Sequence, residues 1–159
     1  MKYLLVILLL LSGFVRSQEI KATSGWYQIM RVSDIENAGN DYPLYVESKK
    51  KETKISVKAF PKSKQMDLYG FFTVFVHHEP VFWDESLELS VRRTSKGKGK
   101  KGSINGGETW QQVHRFAGDF FRLVGKGKNV DVQYRIKGLS VLLPVNTYST
   151  EVVYTVLNL

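Results

Sequence analysis

Residues 130–136 read Val-Asp-Val-Gln-Tyr-Arg-Ile, an alternation of apolar and polar side chains with a period of two. A period of two is typical of a β-strand that has one buried and one solvated face. Residues 87–92, Leu-Glu-Leu-Ser-Val-Arg, repeat the pattern. These two stretches predict half-buried strands of an antiparallel sheet, because antiparallel sheets can leave one face in water.

Less regular segments that are rich in β-branched and aromatic residues predict further strands. They lie at 26–32, 44–47, 55–60, 71–76 and 148–159. The run 71–76 is apolar on both faces, which predicts a position in the middle of a sheet with both faces covered, and Glu79 and Pro80 are expected to end it. Residues 107–123 fit either a short helix or an irregular strand pair, and we favour strands.

Turn-forming residues separate these runs at 37–41, 49–51, 96–107 and 125–129, and we interpret most of them as hairpins. Short strands without a βαβ rhythm predict an all-β fold. The expected architecture is an antiparallel Greek-key β-sandwich of immunoglobulin-like or jelly-roll type, with about seven to nine strands. A single domain over residues 18–159 is expected.

The first 17 residues have the features of a secretory signal peptide. Lys2 precedes an apolar run from Tyr3 to Leu11, which is about half the length that a membrane-spanning helix needs. We expect cleavage ahead of Gln18 and export to the periplasm or the cell surface. No later segment is long and apolar enough to span a bilayer, so no transmembrane anchor is expected after cleavage.

Composition limits the partners of the mature protein. The 159-residue chain has no cysteine, so its core must supply stability without disulfides. Its formal charge is +8, of which Lys2 and Arg16 in the acid-free leader carry two, leaving +6. In an exported protein this charge suits anionic polysaccharide, lipid head groups or protein rather than nucleic acid. Solubility alone is the alternative explanation.

Basic residues cluster in two glycine-bearing segments that we interpret as exposed turns. The candidate residues for an anionic ligand are Arg92, Arg93, Lys96, Lys98, Lys100, Lys101, Lys126 and Lys128. If both turns project from one end of the sandwich, their fields add and could hold phosphate or carboxylate groups of a surface polymer. The alternative is that lysine and glycine only keep exposed turns soluble.

No residue pattern points to an enzyme, a metal site or a cofactor. The chain lacks a cysteine nucleophile, a G-x-S-x-G elbow and an H-E-x-x-H pair. Neighbours in a strand point to opposite faces, so of His77, His78 and Glu79 only the first and last could share a face. A glycan-cleaving enzyme with two facing carboxylates is kept as an alternative. The tryptophans, Trp26, Trp83 and Trp110, are interpreted mainly as core residues, with a sugar-stacking face as the alternative.

The last residues of the chain resemble a known type of closing hairpin. Residues 143–156, Leu-Pro-Val-Asn-Thr-Tyr-Ser-Thr-Glu-Val-Val-Tyr-Thr-Val, look like the closing hairpin of bacterial surface and fimbrial β-sandwiches, although Asn146 stands where such proteins often have glycine. Residues 14–19 resemble the leader ends of exported Bacteroidota proteins, where cleavage before glutamine is frequent. The likeness implies a structural or adhesive envelope subunit that is assembled through strand edges or sheet faces. No catalytic or ligand-binding residue transfers from it.

A terminal strand of this kind either closes its own sheet, which we favour, or adds to the edge of a partner. The candidate partner-strand residues are Tyr148, Val152, Tyr154 and Val156. The expected function is that of a non-enzymatic envelope or cell-surface protein, structural or adhesive, that works by protein–protein contact or self-assembly. The alternative is a binding module for anionic glycan or lipopolysaccharide.

Overall fold

The structure, a computed structural model, describes residues 19–35, 41–58, 71–98, 102–125 and 127–158. These ranges contain ten β-strands, one short 3-10 helix (Val32–Asp34) and no α-helix. The strands are β1 (Glu19–Ala22), β2 (Tyr45–Glu47), β3 (Thr53–Lys58), β4 (Phe71–Phe82), β5 (Glu88–Arg93), β6 (Gly102–Asn105), β7 (Gln111–Gln112), β8 (Gly118–Gly125), β9 (Gly127–Lys137) and β10 (Ser149–Asn158). No helix in the described ranges is long and apolar enough to cross a bilayer.

The strands form two antiparallel sheets. The first sheet has the order β1-β3-β9-β5-β7, with β2 also paired to β9, and the second sheet has the order β10-β4-β8-β6. The prediction of an all-β antiparallel sandwich is confirmed. Ten strands exceed the expected seven to nine, because the short strands β1 and β6 fall outside every predicted strand.

Successive strands alternate between the two sheets from β3 to β10. This alternation differs from that of immunoglobulin sandwiches, which also join consecutive strands within one sheet. The segment 96–107 contains β6, which lies in the sheet opposite to β5 and β7, and the segment 125–129 lies where β8 of one sheet is followed by β9 of the other. Neither segment is therefore a hairpin. Hairpins and connections between sheets use the same turn-forming residues, because the chain must reverse its direction in both.

The hydrophobic core lies between the two sheets. Its buried side chains include Ile55, Val57, Leu89, Val91, Val130 and Val132 from the first sheet and Phe72, Val74, Val76, Phe121, Leu123 and Val156 from the second. The hydroxyl groups of Tyr134 in β9 and Tyr154 in β10 form a 3.0 Å hydrogen bond between the sheets. Burial raises the pKa of both tyrosines.

Most of the predicted strands are confirmed. The two alternating stretches correspond to β5 and β9, and the segments 44–47, 55–60 and 148–159 correspond to β2, β3 and β10 within the described residues, which exclude 59–60 and 159. The segment 107–123 contains β7 and the first part of β8, so strands and not a helix form there.

The strand predicted at 26–32 is wrong, because the chain leaves the sheet after β1. Thr23 N–H still donates to Lys54 O at 3.1 Å, and Thr53 Oγ1 donates to Ser24 O at 2.7 Å. Beyond these bonds Trp26 packs against the core from irregular chain. A β-prone composition does not form a strand where no neighbouring strand pairs with it.

β4 runs past Glu79 and Pro80, which were expected to end it. His78 N–H donates to His114 O at 3.0 Å, on the side of β4 that faces β8. Residues two apart in a strand direct their backbone groups to the same side, so the nitrogen of Pro80 also points there. Since β8 reaches only as far as Val76, the proline removes no ladder bond.

Candidate functional site

The outer face of the first sheet carries a hydrogen-bonded network centred on Gln133. This side chain is only 3% exposed. Its Oε1 accepts bonds of 3.0 and 2.8 Å from Nε and Nη2 of Arg92. Its Nε2 donates to Glu47 Oε2 at 3.1 Å and to Ser48 O at 2.9 Å. A buried amide with all these bonds made holds its neighbours in one arrangement.

Arg135 extends the network along β9. Its Nε and Nη2 donate to Glu47 Oε1 at 3.0 and 2.6 Å. The two side chains are 21% and 29% exposed, so water screens this ion pair only partly.

Two aromatic side chains lie against these guanidinium groups. The Trp110 ring centroid is 4.5 Å from Cζ of Arg92 and 4.1 Å from Cζ of Arg135. Arg135 Cζ is also 4.3 Å from the Tyr45 ring centroid. Such distances are those of cation–π contacts. We call Tyr45, Arg92, Trp110 and Arg135 the tryptophan–arginine strip.

Trp110 reaches the strip through a glycine turn that sequence reasoning missed. Gly106 and Gly107 have φ values of 83° and 74°, which favour glycine, and they precede the short strand β7. The antiparallel register of β7 with β5 places Trp110 opposite Arg92. Trp26 and Trp83, in contrast, pack against the core as expected.

Arg93 differs from its neighbour Arg92, because its side chain points inward and is 1% exposed. Its Nε donates to Gly106 O at 3.0 Å and its Nη1 to Ser95 O at 2.8 Å. Its Nη2 forms a 2.8 Å ion pair with Glu108. Arg93 therefore holds the loops together and is removed from the candidate ligand-binding residues.

The candidate lysines lie in two segments whose flanking residues pair with each other. Lys96 and Lys98 are exposed; Lys100, Lys101 and Lys126 lie outside the described residues, and only the backbone of Lys128, in β9, is described. Gly102 pairs with Gly125, so the chain flanking the two lysine-bearing turns converges at one end of the sandwich. Thr94 Oγ1 donates to Lys50 O, which brings a third basic turn, the exposed lysines at 49–51, beside the first.

The outer face of the second sheet mixes apolar side chains with polar and charged ones, among them Arg122, His77 and Glu151. The register directs the side chains of Phe71, Thr73, Phe75, Val124, Val153, Thr155 and Leu157 away from the core. Phe71 is 61% and Leu157 48% exposed, so the expectation that both faces of β4 are covered is wrong at Phe71. A shallow depression of about 390 Å³ lies beside Phe71, Thr73 and Arg122.

β10 forms the edge of the second sheet and pairs with β4, so the terminal strand closes its own sheet. The side chains of Val152, Tyr154 and Val156 pack in or against the core. Tyr148 precedes the strand and stacks on Phe82 with a centroid distance of 5.8 Å. Among the four candidate partner-strand residues, three therefore direct their side chains inward.

Among the strands that the structure describes, none pairs with β10 on the side away from β4. Because His78 directs its N–H toward β8, its neighbour His77 directs its backbone groups toward β10, where it pairs with Val153. Alternation then points the N–H and C=O groups of Val152 and Tyr154 toward the side of β10 away from β4. Any partner strand would contact these residues through their main chain.

The histidines on β4 separate as the strand geometry predicts. His77 Nε2 lies 3.4 Å from Glu79 Oε1, whereas His78 points to the other side and its Nδ1 is 3.0 Å from Thr150 Oγ1. Burial, followed by the charges of Arg115, His114 and His77, lowers the pKa of His78. Within the described ranges no group of three metal-type side chains is close enough to hold an ion.

Comparison of the chain with protein-family models, with curated proteins and with solved structures finds no match.

Proposed function

We propose that this chain is a non-enzymatic exported protein of the cell envelope or cell surface, with a structural or adhesive role, that works by protein–protein contact. The contact surface is the outer face of the second sheet together with the edge strand β10. The observation that carries the proposal is the exposure of Phe71 and Leu157 on the outer face of this sheet, next to Thr73 in the register of β4 and β10. Exposed apolar side chains that lie close together on a folded domain are found at many interaction sites.

The charge of this face favours a second copy of the same chain as the partner. Arg122 is the basic residue beside the depression, and it forms a 2.9 Å pair with Asp119 on the same strand. Farther along, His77 lies against Glu79. Because Arg122 and Asp119 are paired on the same strand, the part of the face beside the depression can meet an identical face without a net like-charge repulsion.

Light scattering after size-exclusion chromatography tests this proposal. The protein is expected to self-associate at micromolar concentration, and Leu157→Lys is expected to leave it monomeric while the fold, followed by circular dichroism, is retained. The matched control is Lys54→Glu, at an exposed position of β3 in the first sheet. A monomeric protein at all concentrations, or equal association of the Leu157 variant, would contradict the proposal.

A second candidate function is the binding of an anionic glycan. The specific observation is the convergence of basic segments, through the Gly102–Gly125 pair and the bond from Thr94 to Lys50. Several lysines on neighbouring segments attract a polyanion more strongly than separated ones, and salt weakens that attraction.

A further inference from the structure

We infer that the tryptophan–arginine strip binds a sugar residue that bears a carboxylate or sulfate group. The inference rests on the second candidate function, polyanion binding. It specifies which part of the surface contacts the sugar ring. The lysine turns would supply general attraction, and the strip would supply recognition.

The two guanidinium groups of the strip are fixed and still have free donors. Arg92 and Arg135 each use Nε and Nη2 to bond one acceptor oxygen, on Gln133 and Glu47 respectively. Within the described chain, neither Nη1 group has a hydrogen-bond partner. A planar guanidinium held along one edge offers its remaining N–H groups in a fixed direction, which suits a carboxylate or sulfate.

The aromatic rings supply the second half of the recognition. Trp110 is partly exposed, and Tyr45 is 45% exposed, so neither ring is fully covered. The face of an aromatic ring carries partial negative charge and attracts the C–H groups on the flat side of a sugar. A neutral sugar would leave the arginine donors unused, and a bare inorganic anion would leave the rings unused, so an acidic sugar fits both features.

The turn at 49–51 links the strip to the basic segments. Ser48 O accepts the bond from Gln133, and the exposed lysines follow directly, with Lys50 O bonded to Thr94. The acids nearby include Glu47, which is held by Arg135, and Glu52, whose carboxylate accepts the Lys49 N–H at 3.2 Å. Asp131 and Glu88 lie on the same face of the sheet, opposite Lys54 and Lys137 respectively. A polymer with an acidic sugar on the strip would therefore continue over positive charge.

The experiment measures binding of polygalacturonate, sulfated dextran and uncharged dextran by calorimetry and by intrinsic tryptophan fluorescence, to which Trp26 and Trp83 also contribute. The protein is expected to bind at least one acidic polymer and not the uncharged one. The double variant Arg92→Lys/Arg135→Lys keeps the charge and removes the planar forks, so we expect binding at least about tenfold weaker. Trp110→Leu tests the ring separately and covers the case in which the double variant fails to fold.

The control variant Lys49→Gln/Lys50→Gln/Lys51→Gln should mainly reduce the salt dependence of binding. Unchanged affinity in both the arginine and the Trp110 variants, with a large loss in the lysine variant, would overturn the inference and leave polyanion binding intact. Failure of the unsubstituted protein to bind either acidic polymer would overturn both.

Discussion

The outer faces of the two sheets differ in the side chains that they present to solvent. On the first sheet, polar side chains of β2, β5 and β9 satisfy one another, and Gln133 is buried beneath them. On the second sheet, aromatic and aliphatic side chains face outward, and Phe71 is 61% exposed. The polar groups of the first face are largely paired with one another, although the Nη1 groups of Arg92 and Arg135 have no partner among the described residues. Covering the exposed apolar side chains of the second face would lower the free energy.

The largest expected effect that tests this contrast is the loss of Gln133. Gln133→Leu removes the acceptor of two Arg92 bonds and leaves Ser48 O without its donor, so we expect a loss of about 3 kcal/mol of unfolding free energy. Urea denaturation measures it. The matched change on the apolar face is Thr73→Val, at a side chain equally buried, for which we expect a loss below about 1 kcal/mol. Similar losses in the two variants would show that the polar network has no special role.

A smaller effect should distinguish the ion pairs of the two faces. Arg135→Gln disturbs a partly buried pair and two cation–π contacts, so a loss of about 1–2 kcal/mol is expected. Arg122→Gln breaks a 2.9 Å pair between side chains that are 69% and 54% exposed, and should cost less than about 0.5 kcal/mol. Raising the salt concentration should leave the first loss mostly in place. If the Arg122 variant lost as much stability, the claimed difference between the faces would not hold.

The two sides of β4 also differ in their expected response to pH. Burial lowers the pKa of the inward-facing His78 in the folded protein, so the unfolded chain takes up its proton at a higher pH, near 6.5. Stability should therefore fall as the pH drops below about 6.5, until the folded form is protonated as well. Urea midpoints between pH 7.5 and 5 measure this effect.

His78→Gln should flatten that pH dependence, whereas His77→Gln, on the outward-facing neighbour, should preserve most of it. An unchanged slope in the His78 variant would assign the effect to another group. Nuclear magnetic resonance of the imidazole protons would then identify which histidine titrates.

The orientations of Arg92 and Arg93 could have been predicted from the sequence. Leu89, Val91 and Arg93 share one side of β5, so strict alternation predicts that Arg93 points inward and Arg92 outward. Grouping both arginines with the lysines overlooked this signal. The position of Trp110 could not be predicted from the sequence, because it depends on the turn at Gly106 and Gly107 and on the pairing of β7 with β5.

Other errors have the same physical origin. The composition of 26–32 suits a strand, yet no strand lies beside it to accept its hydrogen bonds. The segments 96–107 and 125–129 contain turn residues. Turn residues do not determine whether the next strand joins the same sheet or the opposite one.

Local periodicity alone was sufficient to locate most strands, including β5, β9 and β10, and to divide their side chains between two sides. Only the tertiary structure decided which strands are neighbours, and that the outer face of the first sheet carries a hydrogen-bonded polar network while that of the second sheet exposes Phe71 and Leu157. The reason is that a period of two depends on residues adjacent in the chain, whereas sheet pairing and covering depend on residues far apart in it, such as Tyr45 with Lys137 or Ile20 with Val57.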